Sequence, residues 1–403
     1  MTVEISRERY TSSDYAAREW RRVWSRVWLL AGRLADLPKP GDRLTYECAG
    51  ECVVIVRQED GGVRAFFNSC PHRGRELCES GRAGGDGIRC AYHGWEWELD
   101  GSPRRLPLGR GFGGMGERLR LAEARVETFL GFLWVNFDPG ARPLSEYLGS
   151  LASELAPHRL EEFALVDDFS VELPCNWKVA MDAFSEGYHV PTVHPQLADV
   201  IDVERQTITL YEHHHLIVQP FVGLDPGAVA ALPAEVSAML KQMGIELPAA
   251  AAGADVRAEI HRAIRAWAGT RGFDLSGLKD EQLTANWTLN VFPNLSMSGV
   301  FPHRYFLSRH RPHPHDPRRM FFDFQEYERT PRAGTKVARP AHRAFRYGER
   351  PLGETVAQDL ENCVRVQRGL ESPSLRERPL LLGDFERGVA HMHALLDRYL
   401  AAE

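Results

Sequence analysis

The spacing of apolar residues near the start of the chain predicts an amphipathic helix. Within residues 14–30, the side chains at positions i, i+3, i+4, i+7 and i+8 are apolar, namely Trp20, Val23, Trp24, Val27 and Trp28. This spacing places all of them on one face of an α-helix, and Ser13 or Asp14 can cap its first turn. We expect that face to pack against a folded domain.

Short runs of alternating apolar and polar residues follow between residues 41 and 138. Gly-rich and Asp-Gly segments, such as Glu59–Gly62 and Asp100–Gly101, separate these runs. Alternation with a period of two is typical of half-buried strands, and such segments are typical of the turns between antiparallel strands. We therefore predict an antiparallel β domain that ends near Pro139–Gly140.

The remainder of the chain mixes helical and strand periods, which predicts an α+β domain. The predicted elements are a helix at about 176–190, strands at 203–221, 284–298 and 319–328, and helices at 353–370 and 384–401. An Ala-rich helical insertion is expected at about 226–270, and its low-complexity patch at 249–254 is interpreted as a loop or a weak helix end. The predicted domains are a helical segment at 1–40 that packs on the larger domain, a β domain at 41–150 and an α+β domain at 151–403.

Composition and charge exclude several classes of protein. The chain has 403 residues, of which 43% are hydrophobic and 26% charged, as in ordinary globular proteins. Its formal net charge of −6 lacks the basic excess of a nucleic-acid binder. The longest strongly apolar stretch, residues 129–137, is about half of the roughly 20 residues that a spanning helix needs, and the N-terminus has no apolar signal core. We expect neither a nucleic-acid partner nor a membrane.

Cysteine usage indicates a reducing compartment. The chain has 7 cysteines, too few for a disulfide scaffold and odd in number. This fits thiols that bind metal or stay free, and we expect a cytoplasmic protein.

The strongest chemical signal is a pair of Cys-His motifs in the predicted β domain. Cys70-x-His72 lies seventeen residues before Cys90-x2-His93, so two thiolates and two imidazoles can meet from neighbouring loops. This donor set suits tetrahedral zinc or a Rieske [2Fe–2S] centre, in which two histidines replace two thiolates on one iron. Spacing alone leaves both open. Cys78 lies between the pairs without a partner histidine, and we interpret it as a packing residue.

A second cluster of metal-binding residue types lies at residues 176–195. On a continuous helix, Asp182, Glu186 and His189 fall within about 60° of one another and share one face. His194 follows His189 by five residues and would point away on an unbroken helix. We expect Pro191 to end the helix, so that a turn brings both imidazoles to one metal.

A two-histidine iron site needs one carboxylate, and the helix predicted at 353–370 offers a candidate. Its apolar face carries Val356, Leu360, Cys363, Val366 and Leu370. Asp359 falls inside this arc, whereas Glu354 and Glu361 fall on the opposite face. A carboxylate on an apolar face is costly unless it is paired or binds a metal, so Asp359 is the predicted third ligand.

Both motifs together resemble a known family. The strings CPHRG at 70–74 and CAYHGW at 90–95 closely resemble the ligand loops of Rieske proteins. With the 176–195 motif following on the same chain, the sequence resembles the oxygenase component (α subunit) of Rieske non-haem iron ring-hydroxylating oxygenases over nearly its whole length. The resemblance implies an α+β protein with an N-terminal antiparallel β Rieske [2Fe–2S] domain and a larger catalytic domain, whose central antiparallel sheet is flanked by helices.

The resemblance also implies a role for each motif residue. The residues implied for the cluster are Cys70, His72, Cys90 and His93, and those implied for mononuclear Fe(II) are His189, His194 and Asp359. Glu186 occupies the position where most members carry an aspartate that bridges two subunits. Here the link would run from His93 of one subunit through Glu186 to His189 of the next.

One departure from the family concerns this bridge. The family stretch reads Glu-x3-Asp-x2-His-x4-His, whereas this chain has Asp182 and Glu186 as the two acids. Glutamate at the bridge is familiar in the branch that acts on quaternary ammonium compounds. The swap weakens an automatic assignment to arene dioxygenation without establishing the other branch.

The implied chemistry needs further components. A flavin/iron-sulfur reductase or ferredoxin would pass electrons from NAD(P)H to the cluster, and O2 and a small organic substrate would meet at the iron. The implied assembly is a homo-oligomer, a trimer, with a β subunit possible. The leading hypothesis is hydroxylation of an aromatic or polycyclic compound. The alternatives are monooxygenation of a methyl group or a quaternary ammonium compound, including oxidative demethylation, and a non-catalytic electron carrier or zinc protein.

Two further expectations concern the predicted strands. Phe292, Leu295 and Met297 are candidates for the lining of a substrate cavity between the His189 helix and the strands at 284–298. His213–His215 form a strand-like run whose neighbours face opposite sides, so they cannot all bind one metal. We assign these histidines packing or surface roles.

Overall fold

The computed structural model describes residues 2–79, 81–112, 115–222, 234–245, 256–330 and 337–401. Its strands are β1 Val3–Ile5, β2 Leu29–Arg33, β3 Arg43–Cys48, β4 Glu51–Arg57, β5 Val63–Phe67, β6 Arg82–Ala83, β7 Ile88–Arg89, β8 Glu96–Trp97, β9 Pro103–Arg105, β10 Glu123–Phe129, β11 Phe132–Asn136, β12 Phe163–Leu173, β13 Thr207–Leu210, β14 His214–Pro220, β15 Ala285–Val291, β16 Leu295–Phe301, β17 Arg304–Pro312, β18 Met320–Arg329, β19 Arg343–Arg346 and β20 Leu380–Leu382.

Its helices are α1 Glu8–Thr11, α2 Ser13–Glu19, α3 Leu144–Leu148, α4 Leu151–Leu155, α5 Trp177–Ala183, α6 Val190–Val193, α7 Ala234–Gln242, α8 Val256–Thr270, α9 Glu354–Leu370 and α10 Arg387–Ala401. The chain forms two compact units, Ala17–Tyr147 and Met1–Ala16 with Leu148–Glu403. The domain boundaries drawn at residues 40 and 150 stay predictions. Within the described ranges, no helix has both the length and the apolar character needed to cross a membrane.

Antiparallel sheets build the smaller unit, as the alternating pattern predicted. Seven strands pair in the order β2-β11-β10-β5-β4-β3-β6, and β7, β8 and β9 form a three-stranded sheet. The apolar core between them includes Val54, Phe66, Trp95 and Trp97. Burial does not alternate in every strand, since all five residues of β11 are buried.

The opening helix is shorter than its apolar spacing predicted. Helix α2 ends at Glu19, a five-residue π-helical turn follows at Trp20–Trp24, and β2 begins at Leu29. Strand β2 pairs with β11, where Leu30 lies opposite Trp134. The prediction of helix to residue 30 was therefore wrong, since strand pairing outweighed the helical spacing at its end.

An eight-stranded sheet forms the centre of the larger unit, in the order β13-β14-β15-β16-β17-β18-β12-β19. All neighbours are antiparallel except β12 and β19, which pair in parallel. Helix α5 packs against α9 and β17, and α10 packs against β14. Asp359 lies on α9, whereas Glu186 follows the end of α5, and His189 and His194 flank α6.

The predicted helical insertion is present in its described parts. Helices α7 and α8 lie within residues 226–270 and bury Val236, Leu240, Ile260 and Ile264 in a common apolar cluster. The Ala-rich patch at 249–254 lies outside the described residues.

Candidate metal centres

Two loops of the smaller unit present the four residues of the Cys-His motifs. Each loop makes a tight turn, in which the Gly74 N–H donates to the Cys70 carbonyl at 2.9 Å and the Gly94 N–H donates to the Cys90 carbonyl at 3.0 Å. Both glycines have positive φ, +74° and +71°, a conformation that disfavours side chains. The glycine four residues after each cysteine therefore gives both loops the same turn.

The donor groups of these loops face one another. Cys70 and Cys90 are only 4% and 1% exposed, and their thiols hydrogen-bond each other. The imidazole rings of His72 and His93 lie with centroids 4.6 Å apart, and His93 is exposed. Burial raises the pKa of the Cys70 thiol, whereas backbone hydrogen bonds from His72 and Arg73 lower it. Two thiols inside and two imidazoles outside are the arrangement that a Rieske centre needs.

The environment of His72 gives a test of this fit. Its ring stacks on Trp95 with centroids 4.6 Å apart and planes inclined by 6°. Its Nδ1 atom is buried, and no described residue forms a hydrogen bond with it. A buried, unpaired imidazole nitrogen is costly unless it binds a metal. The residues therefore fit a [2Fe–2S] cluster ligated by this histidine.

Cys78 lies apart from these donors. Its backbone N–H donates to Asn68 Oδ1 at 2.9 Å, and its carbonyl accepts from Asn68 Nδ2 at 2.8 Å. Burial raises the pKa of the Cys78 thiol, and the nearby Arg43 acts against this rise. The thiol packs against the apolar core, in agreement with its interpretation as a packing residue.

We expect this difference between the cysteines to be visible in the purified protein. Cys90→Ser should remove the red-brown colour and the acid-labile sulfide, because it deletes a buried thiolate ligand. Cys78→Ser should leave both unchanged. Absorption spectra and sulfide analysis after aerobic and anaerobic purification measure the effect. Stoichiometric zinc without sulfide in the wild-type protein would contradict the assignment.

Helix α5 brings the second motif into place but ends earlier than predicted. Asn176 caps it by accepting a hydrogen bond from the Lys178 N–H at 3.0 Å. The helix ends at Ala183, and α6 begins at Val190 with Pro191 in its first turn. The predicted continuous helix to residue 190 and its end at Pro191 were therefore wrong. Proline is favoured in a first turn because the N–H that it lacks has no helical partner there.

Asp182 consequently does not share a face with Glu186 and His189. Its carboxylate accepts a hydrogen bond from the Tyr10 hydroxyl at 2.6 Å and lies 3.1 Å from His393 Nε2. His393 had no predicted role, because its acidic partner lies more than two hundred residues away in the sequence. These buried groups tie α1 and α10 to α5.

A turn between α5 and α6 positions Glu186 against His189. Glu186 Oε1 lies 2.6 Å from His189 Nδ1, and Oε2 accepts hydrogen bonds from the backbone N–H groups of Tyr188 and His189. A carboxylate only accepts hydrogen bonds, so Nδ1 of His189 carries the hydrogen when Glu186 is ionised. Its Nε2 atom is then the nitrogen that is free to bind a metal.

His194 is oriented in the same manner by a different partner. Its Nδ1 lies 2.8 Å from Gln358 Oε1, which also accepts from Gln196 Nε2 at 2.8 Å. Sequence reasoning missed Gln358, whose only signal was its position beside Asp359 on the predicted helix. Burial lowers the pKa of His194, but hydrogen bonding and attraction to Asp359 outweigh it, and the net pKa is raised.

The three predicted iron ligands meet at one point. One ligand atom each of His189, His194 and Asp359 lies within 4.8 Å of the others. Asp359 Oδ1 is 2.8 Å from His194 Nε2 and 3.6 Å from His189 Nε2. Among the described residues, no other group of three or more histidine, cysteine or acidic side chains meets in this way. The donor set and its outer hydrogen bonds fit a facial site for ferrous iron.

Helix α9 supplies Asp359 from its buried face, as its periodicity predicted. Asp359 is 7% exposed, whereas Glu354 and Glu361 are exposed. Val366, which was placed on the same apolar face, is 41% exposed and lies at the edge of that face. The periodicity of the helix therefore distinguished the buried Asp359 from the exposed Glu354 and Glu361.

The three residues predicted to line a substrate cavity are buried in or beside the central sheet. Leu295 and Met297 are buried on the face of β16 opposite to Ser296, and Ser296 bonds with Asn290 below the end of α5. Phe292 stacks on Tyr399. The role of these three residues in lining a substrate cavity stays a prediction.

Comparison with known proteins agrees with this geometry. A family profile described as "Ring hydroxylating alpha subunit (catalytic domain)" matches residues 160–402, and a second, "Rieske [2Fe-2S] domain", matches residues 27–114. The chain is 33% identical over 210 residues to the carnitine monooxygenase oxygenase subunit of Acinetobacter baumannii, an alignment covering 51% of this chain and 56% of that subunit. It is 34% identical over 191 residues to the benzene 1,2-dioxygenase subunit alpha of Pseudomonas putida, covering 45% and 42%. The alignments thus span about half the length of these curated relatives.

Solved structures with the same fold cover nearly the whole chain. A quaternary ammonium Rieske monooxygenase superposes with a TM-score of 0.71 at 21% identity, covering 98% of this chain and 95% of that one. Naphthalene 1,2-dioxygenase from Rhodococcus sp. gives a TM-score of 0.71 at 18% identity, covering 99% and 95%. Similarity at this level of identity concerns the fold.

The profile for the catalytic domain alone spans more than half of the chain, and the Rieske profile includes both Cys-His loops. The cofactors are accordingly a Rieske [2Fe–2S] cluster and a mononuclear iron. The protein belongs to the ring-hydroxylating alpha-subunit family of Rieske non-haem iron oxygenases.

Proposed function

We propose that the protein is the terminal oxygenase component of a multicomponent system that hydroxylates an aromatic or polycyclic small molecule. It would use O2 and electrons that a reductase or ferredoxin supplies from NAD(P)H. The observation that carries the proposal is the convergence of His189, His194 and Asp359, whose ligand atoms lie within 4.8 Å of one another. The similarity to a benzene 1,2-dioxygenase alpha subunit supports the substrate class.

Each ligand residue has a defined task in this proposal. Nε2 of His189, Nε2 of His194 and the Asp359 carboxylate would hold ferrous iron on one side, which leaves the opposite side for O2 and substrate. When bound, this iron supplies the redox centre at which O2 is activated. Gln358 and Glu186 hold the other imidazole nitrogens at 2.8 Å and 2.6 Å and thereby keep both Nε2 atoms directed inward.

In the smaller unit, the proposed cluster ligands are Cys70, His72, Cys90 and His93. The two buried thiols would bind the inner iron, and the two imidazoles would bind the outer one. Histidine ligation raises the reduction potential of a cluster above that of an all-thiolate one, so the cluster can accept electrons from a flavin or ferredoxin donor. The exposed position of His93 supports a role as the exit for these electrons.

We also propose that electrons pass between subunits of a homotrimer, from His93 of one subunit through Glu186 to His189 of the next. Exposed apolar side chains near both proposed ends support this path. Tyr188, two residues after Glu186, is 63% exposed and stacks on Phe385 with centroids 6.0 Å apart. Tyr92, adjacent to His93, is 51% exposed. Such patches are typical of protein–protein contacts.

A substrate panel with a surrogate reductase tests the proposed activity. Under 18O2, the expected result is a dihydrodiol of the arene that contains both oxygen atoms of one O2 molecule, formed with the consumption of two electrons and two protons. Product without label, or no turnover on any arene despite a full iron content, would overturn the aromatic substrate class. A variant with Asp359→Ala serves as the inactive control in the same assay.

Glu186 favours a second candidate function, monooxygenation of a methyl group or of a quaternary ammonium compound. The bridging acid is glutamate here, and a carnitine monooxygenase oxygenase subunit is among the relatives at 33% identity. In the same panel, this function would place one labelled oxygen in the product and release an aldehyde or an amine. The number of incorporated oxygen atoms therefore separates the two candidates.

The proposal includes a cytoplasmic location and a role in aromatic catabolism. The 7 cysteines support the first, because all of those whose side chains are described are free thiols. We also keep the proposed division into a Rieske domain at 41–150 and a catalytic domain at 151–403. Fractionation of the native cells tests the cytoplasmic location. Limited proteolysis with mass spectrometry of the fragments tests the division into domains.

A further inference from the structure

The two residues between α5 and Glu186 are held by buried polar side chains of the central sheet. Phe184 and Ser185 follow the last residue of α5 and directly precede Glu186. The last carbonyl groups of a helix have no partner within it, and a buried carbonyl needs one. Ser185 is fully buried, and its hydroxyl donates to the Met181 carbonyl at 2.7 Å.

Asn290 on β15 supplies a partner for the first of these carbonyls. Its Nδ2 donates to the Phe184 carbonyl oxygen at 3.0 Å, and its Oδ1 accepts from the Ser296 hydroxyl at 2.5 Å. Asn290 has no exposed surface, and Ser296 is 2% exposed. The Ser296 hydroxyl therefore fixes the orientation of the Asn290 amide, which directs its N–H groups toward the end of α5.

His215 on β14 completes the arrangement. Its Nε2 lies 3.0 Å from Asn290 Nδ2, and its ring also contacts the backbone of Ser185. Burial lowers the pKa of His215 to about 3, with repulsion from His391 adding to the effect, so the imidazole is neutral near pH 7. A neutral imidazole nitrogen can accept a hydrogen bond from the Asn290 amide.

Helix α10 packs closely against Ser185 and His215. A Cβ atom added to Gly388 would lie 2.3 Å from the Ser185 carbonyl oxygen and 2.6 Å from His215 Nε2. Only glycine permits this approach, so the Ser185 carbonyl is enclosed by α10 and β14. The backbone before Glu186 therefore has little freedom to shift.

We propose that Asn290 and His215, oriented by Ser296, are positioning residues that fix the backbone before Glu186 and thereby its hydrogen bond with His189. This inference rests on the proposed function, since it assigns the residues to the bridge and the iron site. Neither side chain is one of the three proposed iron ligands. Their effect is transmitted through the Phe184 carbonyl and the packing around Ser185 to Glu186, and from Glu186 Oε1 to His189 Nδ1 at 2.6 Å.

The expected effect is on iron affinity as well as on turnover. Loss of the outer hydrogen-bond partner of a metal-binding histidine typically lowers metal affinity about 10- to 100-fold. Asn290→Ala frees the Phe184 carbonyl and should lower Fe(II) affinity by about 10-fold, close to the loss caused by Glu186→Gln. Competition with a chromophoric Fe(II) chelator under anaerobic conditions measures the affinity without any turnover.

A double-mutant cycle distinguishes positioning from general damage. If Asn290 acts through Glu186, the variant carrying both Asn290→Ala and Glu186→Gln should bind Fe(II) no more weakly than Glu186→Gln alone. Additive losses would overturn the proposal. Tyr327→Phe is the matched control, because it removes a buried 2.8 Å hydrogen bond to Gln325 on the same sheet. It should leave Fe(II) affinity unchanged.

Ser296→Ala keeps the inference testable if Asn290→Ala does not fold. It removes only the hydroxyl that orients Asn290, and we expect a smaller loss of Fe(II) affinity, about 3-fold. Wild-type affinity in both folded variants would overturn the positioning role while leaving the proposed function intact. A wild-type protein that binds no Fe(II) would instead overturn the proposed function.

Discussion

Replacing Asp359 by alanine is expected to abolish turnover and iron binding at the catalytic site while the visible spectrum of the [2Fe–2S] cluster stays unchanged. The carboxylate is the only anionic donor among the three residues that converge. Without it, two neutral imidazoles would have to hold a divalent ion, and the 2-His-1-carboxylate set that suits ferrous iron is lost. Iron analysis, absorption spectra and single-turnover product formation measure the three effects.

The matched control lies two residues further along the same helix. Glu361 is exposed, and its carboxylate pairs with Arg365 at 2.5 Å on the surface of α9. Glu361→Ala should keep full activity, because an exposed ion pair of this kind stabilises a protein by less than about 1 kcal/mol. His189→Ala and His194→Ala should match Asp359→Ala. Full activity of Asp359→Ala would show that another acid completes the site.

With Fe(II) supplied in excess, Glu186→Gln is expected to hold both metal centres and to block the delivery of electrons to the iron. The carboxylate holds His189 Nδ1 at 2.6 Å, and an amide of the same size has no charge and one oxygen fewer to accept hydrogen bonds. Hydrogen bonds to charged groups contribute roughly 1.5–3 kcal/mol each, so both the link to His189 and the proposed link to His93 are weakened. A chemically reduced cluster should then reoxidise slowly in the presence of substrate and O2, as followed by stopped-flow absorption.

A nearby carboxylate provides the control for this variant. Glu386 lies close enough to Glu186 for their charges to interact, but its hydrogen bond is to the Gly383 N–H at 2.7 Å. Glu386→Gln should reoxidise at the wild-type rate. The intersubunit bridge is wrong if Glu186→Gln also reoxidises at that rate, or if the active wild-type protein sediments as a monomer.

The sequence predicted the site residues that belong to a short motif or to one regular helix. Two cysteines and two histidines in short motifs point to metal whatever the surrounding fold, and the structure brings them together. Asp359 was found through the phase of a 17-residue helix, which is long enough for its buried face to be unambiguous. The assignment of these residues to particular metals stays a prediction until the metals are measured.

The sequence could not predict where α5 ends. Its residues continue a helical pattern past Ala183, but His215 and Asn290 hold Ser185 and Phe184 from 30 and 106 residues further along the sequence. Polar residues on a strand are equally typical of a solvent-facing side. Only the pairing of β14 with β15 places His215 opposite Asn290 in the interior. Sequence reasoning therefore assigned His215 a packing or surface role and passed over Asn290.

The similar turns that follow Cys70 and Cys90 bear on how a [2Fe–2S] cluster reaches its ligands. Their shape is specified by backbone hydrogen bonds to Gly74 and Gly94, and both thiols sit within the apolar core of their unit. Backbone contacts of the chain thus help to define the loops that would receive iron and sulfide. A scaffold protein that delivers a preassembled cluster would have to approach from the side of His93, the exposed member of the set.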